Sequence, residues 1–192
     1  NNFKSNGIYH DKYLKKNSSD TKSTIWFLIY MDEKLPKKIA DNIILVHRKI
    51  NFFSGLVFFL NYLLFCLKKY FIGVNFFKNF NVYSAFSNQV IKIYKKHINL
   101  KNIKYFFITY EGQIFQKDLI RHNKNYNSDI KNIAYDHSAP PPMPLNLIHD
   151  NFSPDILYIT GSAQEKFYQK NLLWPKKKIK LTKSFRFKNI FH

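Results

Sequence analysis

Two polar clusters in the second half of the sequence carry residue types able to move a proton. Tyr110-Glu111-Gly112-Gln113 follows one apolar β-type run, and Tyr135-Asp136-His137-Ser138 follows the next. Glu111 and His137 stand 26 residues apart, about the length of one strand–helix–strand unit. In an open parallel sheet, ligands bind beyond the carboxyl ends of the strands, and both clusters fall at such ends. A carboxylate and an imidazole meeting there are the groups that acid–base chemistry on a hydroxyl requires. Gly112 permits close backbone approach at the same place. The spacing leaves a structural alternative open, with Glu111 capping the helix that begins near Gln113 and His137 anchoring the following stretch APPPMP.

Other chemistries lack their patterns. There is no G-x-G-x-x-G and no G-x-x-x-x-G-K-[ST], which disfavours a dinucleotide or P-loop site. The seven His are scattered without H-x-x-x-H or H-E-x-x-H spacing, and Cys66 is the single cysteine, so neither a zinc site nor a disulfide framework is expected. No G-x-S-x-G elbow occurs. No metal or cofactor is therefore expected. Asp32-Glu33, at the end of the first apolar run, reads as a solvated turn, and Asp155, after Pro154, as a cap of the turn into its strand.

The chain has 192 residues, 45% hydrophobic and 22% charged, which places it among globular proteins with one full core or a core and a half. Its formal charge is +19, which points to an anionic partner: a phosphate-bearing small molecule, nucleic acid or an acidic membrane surface. The basic residues are overwhelmingly Lys, whereas base and planar phosphate readout favour Arg, so nucleic acid is the least favoured of the three. Many of the lysines read as a solvated coat on an aromatic-rich protein. One cysteine fits a reducing compartment. The opening segment is polar and has no apolar signal-peptide region, and the sequence stops just after a strand-like run, so the expectation is a portion of a longer chain.

The elements that must position the two clusters follow from periodicity. Residues 1–22 read as a loose polar lead-in. Continuous apolar runs at 24–33 and 43–49 read as strands buried on both faces, with Pro36 and a short helical stretch between them. Residues 52–71 are Phe-rich with an apolar run shorter than a membrane span, and read as a buried or interfacial helix. From 81 to 98, Val82, Phe86, Val90, Ile93, Tyr94 and His97 recur at helical steps. Strands are expected at 103–112, 130–138, 155–161 and from Ile179 on. Helices are expected after Gln113 and from Ser162, the latter with a Ser162/Glu165 capping box. Lys176-Lys177-Lys178 reads as an exposed loop. Strand–helix alternation with apolar strands gives an α/β fold, a Rossmann-like parallel sheet with flanking helices over residues 23–187.

The stretch from Ile103 to Phe187, with YEGQIFQKDLI, IAYDHSAPPP and PDILYITGSAQEKFYQKN in that order, resembles the bacterial surface carbohydrate biosynthesis proteins. These are glycosyltransferase-like proteins of the two-Rossmann-domain, GT-B type. The family more often has Gln where this chain has Asp136, and the Phe-rich helix has no counterpart in it. The resemblance implies an acceptor-side N-terminal domain, with residues 188–192 opening a linker to a nucleotide-sugar domain. It implies Glu111 as the base on the acceptor hydroxyl. His137 and Ser138 would face donor phosphate or acceptor, and Gly112, Gln113, Asp136 and Gly161 would line the substrate edge. The implied partners are a nucleotide-sugar donor and a glycan or lipid-linked acceptor. The implied setting is cytoplasmic, peripheral on the inner face of the plasma membrane. The competing expectation is a non-catalytic basic α/β protein that binds an anionic partner at a membrane surface.

Overall fold

The computed structural model describes residues 3–4, 6–11, 16–21, 23–30, 32, 34–47, 52–70, 82–137 and 145–183. The apolar β-branched and aromatic runs form strands: β3 (Trp26–Tyr30), β4 (Ile43–His47), β5 (Tyr105–Thr109), β6 (Lys131–Asp136), β7 (Ile156–Ile159) and β8 (Ile179–Leu181), after a short pair β1 (His10–Asp11) and β2 (Lys16–Asn17). The helices are α1 (Phe52–Tyr70), α2 (Val82–His97), α3 (Ile114–Tyr126) and α4 (Ser162–Asn171). Strands β5-β6-β7-β8 form one sheet in sequence order, parallel throughout, and β3 and β4 pair in parallel as a second sheet. The fold is mixed α/β, with parallel sheets flanked by helices, in keeping with a generic Rossmann-like architecture.

The two parallel sheets are joined by side chains where their ladders are separate. Phe27 and Ile29 of β3 pack in the same apolar cluster as Phe106 and Ile108 of β5, around Val46, Val90, Tyr94, Leu100, Leu119 and Ile130. The Tyr94 ring stands edge-on to both Phe27, at 5.3 Å, and Phe106, at 5.8 Å. Its hydroxyl donates to Asn123 Oδ1 at 2.9 Å, Asn123 Nδ2 donates to Asn132 Oδ1 at 3.0 Å, and the Asn132 amide N–H donates to Asp155 Oδ2 at 2.8 Å. This polar chain crosses the interior from α2 through α3 and β6 to the start of β7. Buried polar groups are tolerated because each finds its partner.

Several expectations are corrected. Residues 1–22 are not a loose lead-in where they are described: Ser18 is fully buried, Tyr9 packs on Trp26, and Phe3 packs on Tyr30. No helix follows Pro36 among the described residues; the backbone there runs against Gly7, whose φ of +85° and 2.8 Å clearance from Lys38 leave no room for a side chain. His97 is exposed, so the buried stripe of α2 ends at Tyr94. Strand β5 forms within the expected 103–112 and lies at the sheet's edge, with Tyr105 71% exposed. Helix α1 forms over the expected span; of the two alternatives, burial and an interfacial position, the exposure of Phe52 and Phe53 goes against burial, and among the described residues no helix is long and apolar enough to cross a membrane.

The lysines of α3 are also more than a solvated coat. Lys117 Nζ donates to the Ile148 carbonyl and to Asp150 Oδ2, both at 2.7 Å, and Lys124 Nζ donates to the Ser153 carbonyl at 2.7 Å while lying 3.4 Å from Asp155 Oδ1. They hold the β6–β7 connector against the helix. Burial works against the ionised form of Asp155, but the Asn132 amide and the Lys124 charge outweigh it and hold its carboxyl below the ordinary 3.8. A carboxyl lowered in the folded state binds fewer protons there than in the unfolded chain. It therefore stabilises the fold above pH 3.8, and this stabilisation is lost as pH falls through the lowered value. We expect the melting temperature to drop below about pH 4, and Asp155→Asn to flatten that acid limb while lowering stability at neutral pH. An acid limb identical in the two proteins would contradict this.

Candidate functional site

The site is built from the carboxyl ends of β5 and β6. The pairing register sets Thr109 opposite Tyr135, and Tyr110 N extends the ladder with a 2.9 Å bond to the Tyr135 carbonyl. Glu111 and His137 each lie two residues past that register pair, so a common direction and alternation carry both to one place. Tyr110 and Tyr135 are fully buried beneath them. Above, His137 Nδ1 lies 3.5 Å from Glu111 Oε1. The Glu111 side chain is 41% exposed and that of His137 19%, so the carboxylate is reachable from solvent while the imidazole is largely covered. The His137 ring stacks on Tyr135 at 6.0 Å and 28°, which fixes the plane of the imidazole.

The turn after β5 explains why Glu111 holds its position. Gly112 adopts φ +78°, a left-handed conformation that favours glycine, and an added Cβ would come within 3.3 Å of Leu147. Gln113 is the residue before α3 and caps it through its backbone. The buried Gln116 closes the turn: its Oε1 accepts from the amides of Glu111, at 3.1 Å, and Gln113, at 2.9 Å, while its Nε2 donates to the Thr109 carbonyl at 2.6 Å.

The remaining candidates sort differently. Asp136 points inward, 1% exposed, and accepts from Tyr168 Oη at 2.6 Å and Gln164 Nε2 at 2.9 Å. Its carboxylate anchors α4 and is not presented to the rim. Burial, followed by that neighbouring charge, pushes the Tyr168 hydroxyl far upward, so it stays a proton donor to Asp136. Gly161 stands at the carboxyl end of β7 with extended backbone and open space about its Cα, on the same edge of the sheet as Glu111 and His137. It precedes α4 as the cap residue, so Ser162 is the first helical residue and Glu165 bonds Gln169 instead of closing a capping box. Ser138 and Glu33 lie outside the described residues. Among the described residues no group of three or more His, Cys, Asp or Glu side chains could hold a metal ion.

Gln116 and Gln164 are the supporting residues that motif reading passed over. Each occupies the third position of the helix that follows a strand; Gln116 ties the end of β5 to the start of α3, and Gln164 ties the ends of β6 and β7, its Oε1 accepting from the Thr160 amide at 3.1 Å as its Nε2 reaches Asp136. Glutamine at this position is a known capping signal, so the pattern was available in the sequence.

No family model, curated protein or solved structure matches this chain.

Gln116→Leu would leave two amide donors and the Thr109 carbonyl without their side-chain partner. We expect it to destabilise the protein by about 2–4 kcal/mol in urea unfolding, each buried unpaired group costing roughly 1–3 kcal/mol. A change below about 0.5 kcal/mol would show that Gln116 does not hold the turn.

Proposed function

We propose that this chain is the acceptor-side domain of a glycosyltransferase of the two-Rossmann-domain kind, in which Glu111 takes the proton of an acceptor hydroxyl. The observation supporting this reading is the 3.5 Å approach of His137 Nδ1 to a solvent-reachable Glu111 carboxylate at the rim of a parallel sheet. In the step, the acceptor oxygen gives its proton to Glu111 and bonds to the donor's anomeric carbon. The bond from that carbon to the nucleotide phosphate oxygen breaks, and the nucleotide leaves with the electron pair, as a diphosphate from UDP- or GDP-sugars and a monophosphate from CMP-sugars. His137 orients the carboxylate and, when protonated, offers positive charge to the leaving phosphate. Gly112, Gln113 and Gly161 offer backbone at the same edge, Ser138 is the hydroxyl next in sequence to His137, and Asp136 acts from below as a support.

The donor class rests on pattern. The likeness of residues 103–187 to surface carbohydrate biosynthesis proteins supports a nucleotide sugar held by a second domain of the full-length protein. It equally supports a glycan or lipid-linked acceptor on a route to surface polysaccharide.

The test uses the natural full-length protein with UDP-, GDP- and CMP-sugars as donors and soluble or lipid-linked oligosaccharide as acceptor. We expect labelled sugar to move to the acceptor. Glu111→Gln is expected to lower kcat by about 10²–10⁴-fold while donor Kd stays within about twofold. Absence of transfer across the panel, or a near-normal kcat in the variant, would overturn the assignment.

A further inference from the structure

Helix α1 exposes its large apolar side chains where most proteins cover them. Phe52, Leu56, Leu60 and Leu64 recur at four-residue steps and are 77%, 43%, 49% and 58% exposed. Phe53 and Val57, at 73% and 52%, lie beside that row. Residues four apart share one side of a helix, so these six form a continuous stripe and not a scatter of isolated contacts. Contiguous exposed apolar surface of this kind marks an interaction site.

Charge decides what the stripe meets. Between Asp41 and Glu111 the sequence contains no acidic residue and ten basic ones. That stretch includes α1 together with α2, the helix it packs against, and on α2 Lys92, Lys95 and Lys96 are exposed. Asn61 of α1 lines the same surface groove as Lys95 and the Asp118–Arg121 ion pair, so positive charge borders the apolar helix. A protein partner would need an apolar face ringed by acids. A bilayer containing anionic lipid supplies both properties over any area. No described helix is long and apolar enough to cross such a bilayer, which leaves α1 to lie along its surface.

We infer that α1 seats the molecule on an anionic phospholipid bilayer, with the Phe52–Leu64 stripe in the interfacial layer and the lysines of α2 against the headgroups. The inference stands apart from the catalytic reading, because it uses none of the residues at the sheet rim.

The test is co-sedimentation with vesicles of phosphatidylcholine alone and of phosphatidylcholine with phosphatidylglycerol. The chain is expected to partition about tenfold or more strongly onto the anionic vesicles, and salt should weaken that binding. In Leu60→Trp, the new indole should shift its emission to the blue on those vesicles and be quenched by brominated acyl chains. Replacing Phe52, Phe53 and Leu56 together by Ser changes exposed positions only. This should cut partitioning about tenfold or more with the circular dichroism spectrum unchanged. Three results would overturn the inference: no vesicle binding, equal binding to both vesicle types, or undiminished binding by the triple variant. So would a dimer in sedimentation equilibrium that the triple variant abolishes while vesicles go unbound, because a second copy of the chain would then be the occupant.

Discussion

The parallel pairing of β5 with β6 is the constraint on which the site depends. Had these strands run antiparallel, the segments after Thr109 and after Tyr135 would leave opposite edges of the sheet. Parallel pairing requires a crossover, and α3 provides it, burying Leu119 and Ile120. Once Thr109 stands opposite Tyr135, equal counting along both chains delivers Glu111 and His137 to the same height. The 3.5 Å separation of their side chains is thus a consequence of register, with the left-handed turn at Gly112 and the stacked ring of Tyr135 refining it.

Register alone would leave the rim soft, and a set of polar side chains stiffens it. Gln116 clamps the turn that carries Glu111, and Gln164 and Tyr168 pin β6 through Asp136. Deeper in, the line from Tyr94 through Asn123 and Asn132 to Asp155 connects α2 to β7, and Lys117 and Lys124 fasten the connector that lies beside Gly112 through Leu147. Each of these groups gave up water on folding, and each recovers a partner only if helices and strands take this one arrangement. Stability and site geometry therefore share their supports.

Much of this was legible in the sequence. Among the described residues, the six main strands and the four α-helices follow from apolar runs and three-to-four-residue periodicity, because burial dictates both. The placement of Glu111 and His137 at strand ends followed from the same reading. What stayed hidden depends on distant partners. The inward turn of Asp136 is decided by Tyr168, 32 residues later, and the structural use of Lys117 and Lys124 by carbonyls in a loop some 30 residues on. The break between the β3–β4 sheet and the larger one turns on ladder bonds that composition cannot report. The exposed side of α1 was unreadable for a related reason: an apolar helix looks the same in sequence whether its cover is the core or something outside the chain.

The central claim is that Glu111 and His137 act as one unit at the sheet rim. The most direct measurement is a double-substitution cycle, comparing the proposed sugar transfer by Glu111→Gln, His137→Gln and the variant carrying both. If the two side chains serve one proton transfer, the double variant loses no more activity than the more damaged single one. Losses that multiply would mean that the two residues act independently and that their 3.5 Å approach has no part in the reaction.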